Sequence, residues 1–462
     1  MFAGFDYGSS NCAIGVLSDA QTENPGTEQV KLLPLYQDQH FVPSCLYALS
    51  RELICEAVGL GISDASQRDQ YMVQRSGQLR LAAAARRELD LLPGEQTLYI
   101  GEEAVANYIE LPDEGYFVKS PKSFLGASGL RPEHLAFFED IVTAMMQQIK
   151  RSAERHSAEA ITQTVIGRPV NFQGSGGEDA NRQACGILER AAQRAGFRDV
   201  ELLFEPIAAG IDFETRLEQD RIVLVVDVGG GTTDCSMVQM GPSYRGRTER
   251  QGDFLGHSGE RVGGNDLDIH LSYHGFMPLF GLHDLLKSGR PMPAQPYWNA
   301  VSVNDIAAQS EFNSLQNIEL MQQLERDAQQ PAVIARLLKL QQHKLNYQLV
   351  RCGERSKIAL SDQAEHPVAL DFIEPGLQHS LSRALYEDAV ERPLSKVMNL
   401  MAEVVEQAGC QPDLIYITGG TAKSPVVREA IARQLGDIPL VDGDHFGSVT
   451  AGLTRWAAGL FR

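Results

Sequence analysis

Two short segments carry the residue types that phosphate chemistry requires. Phe5-Asp6-Tyr7-Gly8-Ser9-Ser10-Asn11 and Val226-Asp227-Val228-Gly229-Gly230-Gly231-Thr232-Thr233-Asp234 share one order: an apolar strand, an aspartate, an apolar residue, glycine, small hydroxyl residues, and a second apolar strand at 13–17 or 235–238. Glycine at such an apex can take φ > 0 and let successive backbone N–H groups converge on one anion, while Ser and Thr hydroxyls add donors without bulk. A carboxylate beside phosphate is repelled unless a hydrated Mg²⁺ stands between them, so Asp6 and Asp227 read as metal holders acting through water. Alone, the Asp6 segment is an ordinary glycine turn with a capping aspartate. Three consecutive glycines after Asp227 weaken a strand and call for a reason. The two aspartates lie 221 positions apart, a spacing suited to a duplicated domain whose halves clamp a nucleotide and its metal across a cleft.

Three further positions fit that cleft. Gly263-Gly264 precedes Asn265-Asp266-Leu267-Asp268, a helix opening whose N–H groups could face phosphate, and Gly419-Gly420 joins strand to helix where a bulky side chain would exclude a ribose. Either could be a plain loop. Glu205, followed by Pro206 at a helix start, could orient a water for in-line attack on a γ-phosphate or merely cap its helix.

The elements that must hold these residues alternate. Residues 161–165, 200–204 and 222–226 read as strands, 179–195 as a helix stopped by Gly196, and 206–217 as a second helix, an order that predicts an α/β sheet. Residues 414–417 read as a buried strand, Ser424 as an N-cap, Pro425 as the first helical residue and Gly436 as the stop. Residues 306–350, rich in Gln, Leu and Ala and broken at Pro331, read as a helical pair. Residues 281–300 read as an irregular connection and 64–90 as a more basic helical stretch with a solvated face.

Composition bounds the function. The 462 residues, 43% of them hydrophobic, can bury substantial cores. A formal charge of −19, from 41 Lys+Arg against 60 Asp+Glu, disfavours nucleic acid and anionic lipid as partners. No run approaches a spanning helix, and Asp6 stands where a leader would be basic and then apolar, so a cytoplasmic protein without a membrane anchor is expected. Seven cysteines with no CxxC spacing suit neither a disulfide framework nor a zinc site, and are expected to be reduced and mostly packed.

In their order along the chain these motifs resemble the nucleotide-binding domain of the DnaK-type heat-shock chaperones, in the actin, sugar-kinase and chaperone superfamily. Gly4 to Asn11 resembles the first phosphate motif, with Ser9 and Ser10 where the family usually has threonines. Phe41-Val42-Pro43-Ser44 and Ile100-Gly101-Glu102-Glu103-Ala104 resemble its early landmarks. Lys122-Ser123-Phe124-Leu125-Gly126 resembles the segment with the catalytic lysine, with Lys119 as the alternative register. Ile166 to Phe172 stands where the family has a signalling proline, and Glu205-Pro206-Ile207-Ala208-Ala209-Gly210 resembles its glutamate motif. Asp227 to Asp234 resembles the second phosphate motif, Glu354 to Ser361 the adenosine-contacting helix, and Thr418 to Pro425 the adenosine motif.

The resemblance implies an α/β, actin-like ATPase fold with two duplicated ribonuclease-H-like lobes around a nucleotide cleft. The expected division is 1–218, with an insertion around 60–115; 219–442, with a helical insertion around 281–350; and a C-terminal helix at 443–462 returning to the first lobe. The implied ligands are ATP or ADP and Mg²⁺. Asp6 and Asp227 would hold the metal through water, Lys122 would stabilise the transferring phosphoryl group, Glu205 and Thr232 would position the attacking water, and Asp234 would support the site. Gly8, Ser9, Ser10, Asn11, Gly229, Gly230, Gly231, Thr232 and Thr233 would contact phosphate. Gly263, Gly264, Glu354, Lys357, Ser361, Gly419, Gly420 and Thr421 would contact the rest of the nucleotide.

The implied activity is slow ATP hydrolysis that drives lobe closure toward an unknown client or co-chaperone. The helix around 448–457 is followed almost at once by Arg462, leaving no length for a peptide-binding domain, and in this layout the chain resembles the short YegD-like members. Two alternatives share the fold: a small-molecule, sugar-type kinase, and a nucleotide-dependent filament or scaffold protein.

Overall fold

Each chemical segment identified above turns a corner between two paired strands. β1 (Phe2–Tyr7) runs antiparallel to β2 (Asn11–Leu17) with Asp6 opposite Ala13, and β10 (Arg221–Val228) runs antiparallel to β11 (Thr233–Met240) with Asp227 opposite Asp234. The computed structural model describes the chain except residues 19–28, 113, 128, 158, 173–176, 248–249 and 444–446.

The first sheet has the order β3-β2-β1-β8-β9, from β3 (Val30–Leu32) to β8 (Gln163–Arg168) and β9 (Asp199–Phe204), with β4 (Val42–Pro43) beside β2. The second has the order β12-β11-β10-β15-β16, adding β12 (Phe254–Glu260), β15 (Leu414–Thr418) and β16 (Leu440–Asp442). In both, the hairpin pairs are antiparallel and the two outer partners of the central strand run parallel to it. The central strands are covered on both faces, which is why 222–226 is an unbroken apolar run rather than an alternation. Two smaller sheets, β6-β5-β7 (Leu98–Ile100, Cys45–Ala48, Tyr116–Lys119) and β13-β14 (Glu365–Ala369, Gln378–Ser382), flank these.

Helices α1 (Leu53–Gly61), α2 (Ala65–Gln74), α3 (Ser76–Glu88) and α4 (Glu102–Glu110) follow β5 and β6, and α5 (Pro132–Glu154) packs on α6 (Gly177–Arg194). α7 (Glu205–Glu214) starts at the end of β9 and packs on β10 and β11, and α8 (Gly264–Phe276) follows β12.

The stretch read as an irregular connection and a helical pair contains more helix than expected: α9 (Gln295–Val301), α10 (Ile306–Phe312), α11 (Leu315–Asp327) and α12 (Pro331–Gln342), then α13 (Asn346–Ala359). Asp305 and Ser314 divide it, because each side chain accepts the first free N–H groups of the next helix; Pro331 opens α12. Phe312, Met321, Leu324, Ile334 and Leu337 form its core.

The remaining helices are α14 (Arg383–Ala389), α15 (Glu391–Ala408), α16 (Pro425–Leu435) and α17 (Ser448–Phe461). Ser424 occupies the N-cap position of α16 without a capping bond; its hydroxyl lies 3.5 Å from Tyr386 Oη. α17 packs on β1, β2, β8 and α7, and so touches both the first sheet and the helix carried by the second. All seven cysteines are free thiols and four are buried. Among the described residues no helix is long and apolar enough to cross a membrane.

Candidate functional site

The two glycine corners meet. A Cβ on Gly230 would overlap Ser10 Oγ and stand 2.6 Å from Ser10 Cβ, and one on Gly231 would lie 3.0 Å from Ser9 Cβ and 2.9 Å from Ser123 Oγ. The expectation of φ > 0 at these corners is not met: Gly8, Gly229, Gly230 and Gly231 all avoid the left-handed region. Glycine is needed here for close approach, not for backbone twist.

Beside this contact opens a cavity of about 500 Å³. The first hairpin contributes Asp6, Gly8, Ser9, Ser10 and Asn11, and the second Asp227, Gly229, Gly230 and Thr232, with Glu205 between them. The far wall is Glu354, Lys357 and Ser361 from α13, facing Gly419, Gly420 and Thr421. Segments more than 400 residues apart in the chain therefore line one space.

Asp6, Asp227 and Glu205 line one side of the cavity, and Lys122 and Asp234 lie behind them, outside the lining. Lys122, 3% exposed, lies 2.5 Å from Glu205 Oε1 and donates to the Gly167 carbonyl at 3.0 Å. Lys119 pairs instead with Glu354 at 2.9 Å, so Lys122 and not Lys119 is the lysine beside Glu205. Burial, with Glu205 beside it, pushes the Asp6 carboxyl up to about 7 despite Lys122. Burial likewise raises Asp234 to about 8 and Asp227 well above the usual carboxylate range, Glu205 again adding to both. One ammonium does not offset this clustering, so Asp6, Asp227 and Asp234 hold their protons more tightly than exposed carboxyl groups do. Asp234 is 1% exposed and accepts the Val170 N–H at 2.6 Å, tying the segment after β8 to the second hairpin.

Four expected contacts fall elsewhere. The first N–H groups of α8 do not face the cavity: Gly264 N donates to Gly229 O at 2.9 Å and Asn265 N to Gly230 O at 2.7 Å, while Gly263 N is held by Asp266 at 2.8 Å. Gly263 and Gly264 thus buttress the hairpin from behind, and a Cβ on Gly263 would lie 2.8 Å from the carbonyl oxygens of Gly229 and Gly230. Thr233 is fully buried with its hydroxyl on Val262 O at 2.8 Å, and Gly231 faces Ser9 rather than the cavity. Gly229 O is held from the far wall as well, by Thr421 Oγ1 at 3.1 Å, and Lys357 is fixed by Asp268 at 2.7 Å.

The lining also includes residues that the sequence did not single out as contacts: Phe41, Ile358, Lys423 and Ser424, inside quoted motifs or capping signals, and Asp362 and Val449, outside them. Ile358 had a signal, since Glu354, Lys357, Ile358 and Ser361 fall at helical i, i+3, i+4, i+7 spacing and so share a face. An isoleucine 62% exposed on that face offers a flat apolar surface to a base.

Residues 132–280 match the family described as Hsp70 protein. The matched span holds Glu205, the second hairpin and Gly263-Gly264; Asp6, Lys122 and the α13 wall lie outside it and join the site through the fold alone. The match covers less than half of the chain and over that span supports a likeness to the Hsp70 family.

Beside the cavity the two sides of the cleft touch. Besides the Lys119–Glu354 pair, Tyr108 Oη donates to Lys344 O at 2.6 Å, Asn265 donates to Ser120 Oγ at 3.0 Å, and Tyr347 stands edge-on to Tyr108 and Phe117 at 5.9 and 5.2 Å. α4 and β7 thereby meet α8 and α13 next to the Glu354 wall of the cavity.

Proposed function

We propose that the cleft binds ATP with Mg²⁺ between two duplicated lobes and hydrolyses it slowly, closing on nucleotide and opening on release to engage a protein partner in a DnaK-like manner. The lobes are taken as 1–218 and 219–442, with insertions around 60–115 and 281–350 and the C-terminal helix at 443–462 returning to the first. The observation that carries the reading is the meeting of the Ser10 and Gly230 corners beside Asp6, Asp227 and Glu205 in one cavity. The matching strand order of the two main sheets supports the duplication.

Donors for a triphosphate are at hand in the Ser9, Ser10 and Thr232 hydroxyls and the corner N–H groups. Among the described residues no three His, Cys, Asp or Glu side chains are grouped to hold a metal directly, so Asp6 and Asp227 would reach Mg²⁺ through its water shell. When bound, that ion would screen the phosphates from the two carboxylates. Glu205 is held by Lys122 and would accept a proton from, or align, a water for in-line attack; Lys122, through that pair, would contribute positive charge toward the transferring group.

Glu205→Gln should keep ATP affinity within a few-fold and reduce Mg²⁺-dependent phosphate release by about 10²-fold or more. Undiminished turnover in that variant would remove Glu205 from the reaction. Acceleration of ATP consumption by a sugar would move the reading to the kinase alternative.

A further inference from the structure

A second cavity, about 450 Å³, lies at the opposite end of α7 from Glu205, walled by the ends of α7 and α17 and the loop after β11. Its lining carries four arginines, Arg245, Arg247, Arg250 and Arg455, and one carboxylate, Glu214. This concentration of cations stands out on a chain of net charge −19.

The arginines are compensated unequally. Arg250 and Glu214 neutralise each other at 3.0 Å, with Asp253 adding a bond to Arg250 at 2.5 Å. Arg245 instead donates to main-chain carbonyls at the end of α7, Glu214 O at 3.0 Å and Thr215 O at 3.3 Å, acceptors that leave its charge in place. Arg455 shares Asp212 with Arg216, at 3.4 and 3.1 Å. Arg247, half exposed, reaches Asp253 only at 3.8 Å and lies over the Tyr244 ring at 4.5 Å. The apolar wall is Ile211, Trp456, Ala458 and Leu460, the last 45% exposed.

We infer that this cavity binds a small organic anion with an apolar body, its carboxylate meeting Arg247 and Arg245 and its hydrocarbon part lying on Trp456 and Leu460. Fixed guanidinium donors recognise a carboxylate bidentately, and an indole face with an aliphatic neighbour covers the apolar part. A neutral molecule of the same shape would leave the positive field unanswered. The cavity is separate from the nucleotide site, and the inference stands whether or not the cleft hydrolyses ATP.

The chain has two tryptophans, Trp298 and Trp456, and Trp298 sits far off in the helical stretch beside His270 and Tyr273. A Trp298→Phe protein therefore has Trp456 as its sole indole reporter. Titration with phenylacetate should change Trp456 emission saturably, and 2-phenylethanol, the neutral counterpart, should bind at least about tenfold more weakly. Arg247→Gln, at a half-exposed side chain whose ties are a long ion pair and a ring contact, should fold normally and weaken phenylacetate about tenfold. No saturable response to phenylacetate, equal responses to acid and alcohol, or an unchanged affinity in folded Arg247→Gln would each overturn the inference.

Discussion

Replacing Gly230 with alanine perturbs the contact on which the nucleotide reading rests. The new Cβ would overlap Ser10 Oγ and stand 2.6 Å from Ser10 Cβ. Rotation of the serine hydroxyl relieves the first clash and cannot relieve the second, because Cβ is fixed to the backbone. Carbon atoms settle about 3.5–4.0 Å apart, so the two corners must part by roughly 1 Å. Crowding of this size in a packed core costs about 1–3 kcal/mol. Here the strain is released by separating the corners rather than by unfolding either sheet, so the cost should appear in nucleotide binding and not in stability. ATP affinity measured by calorimetry should fall about 5- to 150-fold, with the melting temperature of the nucleotide-free protein little changed. Gly77→Ala, where a Cβ meets open space, is the control and should bind as the parent does. Ser10→Gly added to Gly230→Ala removes the opposing Cβ and should return part of the affinity, a coupling that independent sites would not show. Unchanged ATP affinity in folded Gly230→Ala, or an equal loss in Gly77→Ala, would refute the reasoning.

Other predictions follow from the charges. Asp6 and Asp234 stand at about 7 and 8 against 3.8 when unfolded, so their contribution to stability is complete below about pH 4 and is lost as the pH rises through 7 to 8. Glu205→Gln removes a neighbour that raises both, and melting curves between pH 5 and 9 should therefore decline less steeply in that variant; parallel declines would contradict the assignment. Lys119→Ala breaks a partly exposed ion pair across the cleft, worth at most about 1 kcal/mol, and stopped-flow should show a labelled nucleotide leaving up to about fivefold faster with little change in melting. Tyr347→Ala, which removes the ring standing edge-on to the stacked Tyr108 and Phe117, should speed release further, and an unaltered rate in both variants would mean that this contact does not gate the cavity.

Much of the fold could be read directly, because the central strands and their helices obey local rules: β8, α6, β9, α7 and β10 follow the alternation of patterns at 161–226 within a few residues, and Gly436 ends α16 in the left-handed region. The division of 295–342 into four helices was less legible, since glutamine-rich periodicity runs on across Asp305 and Ser314 and only their capping bonds separate the pieces. At the site, residue types marked the corners but not their reason: the glycines serve a contact between segments more than 200 residues apart, which no local rule encodes. Gly263 and Gly264 illustrate the same limit. A helix start after glycines looks like a phosphate cradle, and only the fold reveals that Gly229 and Gly230 already take those N–H groups. Lys119 and Lys122, three residues apart, differ in sequence only by the register of the resembled motif, which favours Lys122, and in the fold by which carboxylate each meets.

The central claim is that paired glycine corners grip a phosphate chain with its metal, and calorimetry comparing ATP with AMP, each with Mg²⁺ and with a chelator, tests it most directly. The account predicts one ATP per chain, affinity that falls sharply when Mg²⁺ is withdrawn, and AMP bound far more weakly because it reaches neither corner. Equal affinity for AMP and ATP, or no heat with millimolar ATP and Mg²⁺, would contradict it.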